Sequence, residues 1–250
     1  MREELDEKIA YRIGRAAAQV LNINTGIVGY DARESSPTLA KAVIKGFQDA
    51  GVDVLEIGLA GTEEMYSAVT EFNAGVGIEI TASHNPIEYN GMKIVKNSSQ
   101  PLSEKEFLDI KGLAERNDFF ESKSSGLVID KKQKARVAYI DKILSFVDLK
   151  KLSPLKIVIN SGNGAAGQVI DKLNEKLVLN GVKTDFVYLH HNPDSSFPNG
   201  IPNPLLEENR KSTSNLVKLE KADFGVAFDG DFDRCFLFDE LGNFIPSEYV

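Results

Sequence analysis

The chain has 250 residues, 42% hydrophobic and 26% charged, enough to bury a core in one large or two ordinary domains without disulfide staples. Its 29 basic and 37 acidic residues leave a formal charge of −8, and no long Lys/Arg stripe offsets it, which argues against nucleic acid and anionic membrane surfaces as partners. The single cysteine, Cys235, excludes internal disulfides and Cys-based metal clusters; with no apolar run of about 18 residues and no signal-peptide pattern, a cytoplasmic enzyme is the expectation.

Leu5, Ile9, Ile13, Ala17 and Leu21 recur every four residues and predict an amphipathic helix. A buried strand over 26–30 follows. Ser36-Pro37 reads as an N-cap with Pro at the first helical position, opening a helix with Leu39, Val43 and Phe47 inward and a stop at Gly51. A strand over 52–57 completes a βαβ unit, which implies parallel neighbours. Thr62 reads as the cap of the next helix, with Glu63 and Glu64 at its positive end and Met65, Val69 and Phe72 inward. Val76, Ile78 and Ile80 alternate with Gly77, Glu79 and Thr81, a strand with two different faces. Asn90-Gly-Met-Lys93 reads as a tight turn, and Ser103 with Glu106 as a capping box.

Residues 117–134 are rich in Ser and Lys and read as a linker between domains at 1–128 and 133–250. Beyond it lie a helix near 135–147, a strand at 155–159, a Gly-rich turn, a helix to Asn180 and a strand at 184–189. Asn203-Pro204 reads as a further helix cap, and 224–228 and 234–238 as apolar strands.

Between those two strands lies Asp229-Gly-Asp-Phe-Asp233, followed by Arg234. Three carboxylates in five residues repel one another unless a cation sits among them, and hard oxygen donors suit Mg²⁺. A solvated acidic turn is the bland alternative, but strands on both sides hold the run at a sheet end. A calcium loop starting at Asp229 would need Gly at its sixth position, where Arg234 stands, so that reading fails. Ser83, at the end of the alternating strand, is a candidate nucleophile, although on residue chemistry alone a plain Ser-Asn-Pro turn is the better explanation of Thr81-Ala-Ser-His-Asn-Pro86. Lys93 could return towards Ser83 and neutralise a phosphate; a solvated lysine is the alternative. Gly162-Asn-Gly-Ala-Ala-Gly167 fits a dinucleotide fingerprint, but no acid ends the following strand, so a structural turn ranks first, phosphate contact second and NAD third.

Taken in order, Asp31 and Arg33 in their Gly-Tyr-Asp-Ala-Arg run, the Ser83 loop, Asn90 to Lys93, the Gly162 turn, the Phe197–Pro204 run and the acidic loop resemble the α-D-phosphohexomutase family over almost the whole chain. The resemblance implies two three-layer α/β/α domains with mixed, mostly parallel sheets. It implies a phosphoserine at Ser83, a Mg²⁺ held by Asp229, Asp231, Asp233 and the Ser83 phosphate, and His84, Lys93 and Arg234 beside that phosphate. The implied reaction interconverts mannose 6-phosphate and mannose 1-phosphate through a hexose 1,6-bisphosphate; glucose phosphates are the alternative substrates. The family has four domains, so the chain is expected to be its front half, inactive or poorly active alone, with the third and fourth domains and the opening Tyr-Asp-x-Arg-Gly segment ahead of Arg2 missing. The rival readings are a Mg²⁺ phosphatase with Asp229 or Asp231 as nucleophile, and a non-catalytic dinucleotide-binding module.

Overall fold

The computed structural model describes residues 5–246, so the start at Arg2 and the end at Val250 lie outside the described residues. Contacts divide the chain into two compact units, Met1–Ala82 with Glu88–Tyr139, and Ser83–Ile87 with Ile140–Val250.

The first unit is built on a mixed sheet of β1 (Thr25–Tyr30), β2 (Asp53–Leu59), β3 (Val76–Ile80), β4 (Met92–Lys96), β5 (Gln100–Pro101) and β6 (Val128–Asp130), in the order β5-β4-β3-β1-β2-β6. β1 pairs in parallel with β2 and β3, and β6 with β2; β4 and β5 run antiparallel at the other edge. Helices α1 (Glu7–Leu21), α2 (Ser36–Asp49) and α4 (Glu104–Arg116) bury one face of the sheet, through Val28, Val43, Phe47, Ile78 and Ile110. Helices α3 (Thr62–Glu71) and α5 (Lys132–Leu144) bury the other, through Ile27, Ile57, Met65, Val69 and Ala135. Three layers follow from that two-sided burial.

Close packing of α1 on α2 depends on glycine: a Cβ on Gly14 would lie 2.7 Å from the Val43 carbonyl oxygen. The buried residues of α1 are small apart from Arg15: Ala10, Gly14, Ala16, Ala17 and Ala18. The larger Leu5, Ile9 and Ile13 are half-buried at its side. The Ser103–Glu106 capping box forms as expected, with both reciprocal backbone bonds present, and Gly51 turns out of α2 at φ +80°.

Several local expectations need correction. Ser36 is inside α2 rather than its cap, because its hydroxyl donates to Asp31 at 2.6 Å. Gly61, not Thr62, precedes α3. The two different faces expected of β3 are present, and both are covered by helices, with Glu79 fully buried. Met92 and Lys93 belong to a strand, not a turn, because β4 has β3 to pair with. The stretch 117–134 contains β6, drawn into order by pairing with β2.

The second unit holds β7 (Leu155–Asn160), α6 (Ala166–Leu179), β8 (Thr184–Leu189), α7 (Glu207–Glu220), β9 (Phe224–Phe228), β10 (Cys235–Phe238) and β11 (Phe244–Ile245), with sheet order β11-β10-β9-β7-β8. β7 pairs in parallel with β8 and β9, whereas β9, β10 and β11 form an antiparallel meander. Val158, Val217, Ala227 and Phe238 form the core under α7. Asn203-Pro204 lies ahead of α7, whose cap position is Leu206. Both units are mixed α/β sheets flanked by helices, the expected fold class.

Candidate functional site

Asp229, Asp231 and Asp233 occupy the tip of the β9–β10 hairpin, whose last register pair is Phe228 with Cys235. Phe232 turns the loop at φ +44°, and its ring is buried edge-on against Phe228. That anchor faces Asp229 and Asp231 inward, fully buried, and leaves Asp233 exposed. One oxygen from each carboxylate lies within 4.8 Å of the others. Burial and the neighbouring Asp231 push the Asp229 carboxyl up to about 6, against the lowering pull of Ser83 and Arg234. Three crowded hard oxygen donors, two of them removed from water, fit a divalent cation such as Mg²⁺.

Residues Ser83–Ile87 pack with this unit. Ser83 adopts the left-handed conformation, φ +52°. Its hydroxyl donates to Asp229 Oδ2 at 2.7 Å and accepts from Arg234 Nη2 at 2.7 Å. Arg234 also bonds the Asp229 carboxylate through Nε, at 3.0 Å, and through Nη2, and its backbone N–H donates to Asp229 Oδ1 at 3.2 Å. His84 Nδ1 lies 3.3 Å from Ser83 Oγ and contacts Arg234 Nη2; the guanidinium is a donor, so Nδ1 is the acceptor nitrogen there. Ser83, His84, Arg234 and the three aspartates thus come together. Lys93 lies in β4 of the first unit, in register opposite Glu79.

Glycines missed as site residues allow this approach. A Cβ on Gly230 would stand 2.7 Å from the Ser83 carbonyl oxygen, and one on Gly164 would stand 2.6 Å from the Gly230 carbonyl oxygen. The signal was present in the sequence, as the glycine between two of the acids. The Gly162–Gly167 turn is accordingly a packing element. Four of its backbone donors have protein acceptors: Gly162 on Asn160 Oδ1, Asn163 on the His190 carbonyl, Gly164 on that of Ser161 and Ala165 on that of Gly230. Those amides are therefore engaged rather than available to cradle a phosphate.

The arrangement joins a hydroxyl, a guanidinium and a cluster of carboxylate oxygens that fits a divalent cation, a set of groups suited to phosphoryl transfer. Comparison with known proteins points the same way. Residues 1–121 match the description phosphoglucomutase/phosphomannomutase, alpha/beta/alpha domain I, and residues 137–242 match domain II. The phosphomannomutase of Escherichia coli K12 is 50% identical over 249 residues, covering 99% of this chain and 55% of the relative. That of Vibrio cholerae is 48% identical over 253 residues, covering 99% and 54%. The crystal structure of a phosphoglucomutase/phosphomannomutase family protein from Burkholderia thailandensis superposes with a TM-score of 0.84 at 29% identity, covering 96% of this chain and 52% of that one. The chain spans about half the length of the curated relatives it matches.

Proposed function

The chain belongs to the phosphoglucomutase/phosphomannomutase family, and from that premise we propose that it carries the phosphoserine and metal-binding parts of a phosphohexomutase acting on mannose 6-phosphate and mannose 1-phosphate. The observation that carries the reading is the hydrogen bond from Ser83 Oγ to Asp229 Oδ2, across 146 positions of sequence, which joins the hydroxyl to the aspartate cluster.

In this reading Ser83 carries the phosphoryl group. Transfer breaks the bond from phosphorus to Ser83 Oγ and forms one to a hydroxyl of a hexose monophosphate, giving a hexose 1,6-bisphosphate. The bisphosphate then returns its other phosphoryl group to Ser83, so the net change moves phosphate between O6 and O1. Asp229 Oδ2 holds the proton of the unloaded hydroxyl, and Arg234 Nη2 donates to Oγ as it gains charge on leaving phosphorus. His84 orients the same guanidinium. Lys93 is a further cation assigned to phosphate neutralisation. Asp229, Asp231, Asp233 and the Ser83 phosphate would hold Mg²⁺, which when bound supplies Lewis-acid stabilisation of the transferring group.

The preference for mannose over glucose phosphates rests on the relatives' names and overall similarity. Incubation with a hexose 1,6-bisphosphate and Mg²⁺, followed by peptide mapping, tests the assignment. One phosphoryl group on Ser83 is expected. An acyl phosphate on Asp229 or Asp231 would point to the aspartyl-phosphatase chemistry instead.

A further inference from the structure

The segment bearing Ser83 leaves the first unit after Ala82 and re-enters it at Glu88. Both of its feet meet a buried polar cluster at the end of β1. Asp31, 2% exposed, accepts from Ser36 Oγ at 2.6 Å and from the Arg33 backbone N–H at 3.0 Å, and pairs with Arg33 Nε at 3.3 Å. The first foot is tied to it twice: the Asp31 backbone N–H donates to Ile80, and the Thr81 side chain hydrogen-bonds the Asp31 carboxylate. The second foot is held by Arg33 Nη1 on the Tyr89 carbonyl at 3.0 Å and by Asn90 Nδ2 on Ser36 Oγ at 2.8 Å. The feet also join each other, Thr81 N–H donating to the Gly91 carbonyl at 3.0 Å.

This cluster breaks a local rule. Two serines, Ser35 and Ser36, stand at the start of α2, yet the cap position makes no side-chain capping bond. Both hydroxyls instead accept from Asn90, and that of Ser36 donates to Asp31. Hydroxyls diverted from a helix end to hold a loop foot mark a place where local stability yields to placement. The left-handed backbone at Ser83 is a conformation that persists only when its surroundings fix it.

We propose that Asp31, acting through Arg33, Ser36 and Asn90, is the positioning residue for the Ser83 segment, clamping both of its ends so that the hydroxyl is presented in one place. The inference rests on the assignment of Ser83 as phosphoryl carrier for its functional meaning, and on the hydrogen-bond cluster alone for its structural one.

The test compares the full chain with Asp31→Asn and Asn90→Ala by hydrogen–deuterium exchange and by phosphoryl loading from hexose 1,6-bisphosphate. Amide exchange across residues 82–90 is expected to rise about tenfold or more, with β2 amides unchanged. Maximal loading rate is expected to fall about tenfold or more while the half-saturating donor concentration stays put. A purely structural role would raise exchange throughout the first unit. Unchanged exchange over 82–90, or an equal rise in β2, overturns the proposal. If Asp31→Asn does not fold, Asn90→Ala alone decides. If the wild-type chain takes up no phosphoryl group, the phosphoserine reading fails, and the exchange result still judges the clamp.

Discussion

Replacing Gly230 by alanine adds one methyl group where the acidic loop meets the serine segment. The new Cβ would sit 2.7 Å from the Ser83 carbonyl oxygen, and ordinary contact begins near 3.4 Å, so backbone must give way by the difference, 0.7 Å. No flexible side-chain end is available to absorb it. Gly230 is not among the glycines at positive φ, so alanine brings no backbone strain of its own and the effect reports the contact. Overpacking of this kind costs about 1–3 kcal/mol. For a chain of this size each kcal/mol lowers the melting temperature by about 2–4 °C. The same displacement would stretch the Ser83 Oγ to Asp229 bond from 2.7 Å towards 3.4 Å, beyond a good hydroxyl hydrogen bond. Misplacement on that scale is expected to slow phosphoryl loading of Ser83 by about 10–100-fold. Intact-mass kinetics with a hexose 1,6-bisphosphate would measure it. Gly112→Ala in α4 is the control: its nearest neighbour is the movable end of Arg116, and the helix interior gains about 0.5–1 kcal/mol. A Gly230→Ala chain that loads and melts like the wild type would mean that the close approach of Gly230 to Ser83 does not hold the hydroxyl in place.

Ser83→Ala should abolish phosphoryl uptake while circular dichroism and melting stay near wild type; uptake in the folded variant contradicts the carrier role. Asp231→Ala removes a fully buried oxygen donor and should weaken Mg²⁺ or Mn²⁺ binding about tenfold or more in calorimetry, whereas an unchanged titration would oppose the site. Arg136→Met strands the buried Glu64 carboxylate, which Arg136 Nε pairs at 3.1 Å, and should destabilise the first unit by about 3–5 kcal/mol at neutral pH in denaturant titrations. Burial already pushes the Glu64 carboxyl up, and losing Arg136 pushes it further. The folded variant therefore binds that proton more tightly than the unfolded chain, and the deficit should shrink as pH falls towards 5. Glu106, held down to about 2 first by Ser103 and then by Lys96, adds stability to α4 that is present above its ordinary value of 4.5 and lost as pH falls through about 2. Glu106→Gln should flatten that acid limb in the amide exchange of the first turn of α4; a limb left intact would assign it elsewhere.

Much of the fold was legible because its signals are local and strong. The Leu39, Val43 and Phe47 stripe, the Ser103–Glu106 box and the apolar strands around the acidic loop all depend on neighbours in sequence. The acidic loop was legible for an electrostatic reason, since three carboxylates so close need a cation or solvent. What escaped depends on partners distant in sequence. Ser36 looked like a cap until Asp31 and Asn90 competed for its hydroxyl. β4 looked like a turn because Asn-Gly is a turn signal, and only the edge of β3 makes the following residues a strand. β6 is three exposed residues in a polar run, held by its register with Val54 to Glu56. The packing roles of Gly164 and Gly230 exist only once separate loops stack.

Crystals of the chain loaded with phosphoryl donor and soaked in Mn²⁺, read by anomalous scattering, would show whether Ser83 and the three aspartates share one metal ion. One strong peak is expected about 2.0–2.2 Å from oxygens of Asp229, Asp231 and Asp233, and from a phosphate oxygen on Ser83. A peak elsewhere, or a phosphorylated Ser83 with the three aspartates hydrated and metal-free, would contradict it.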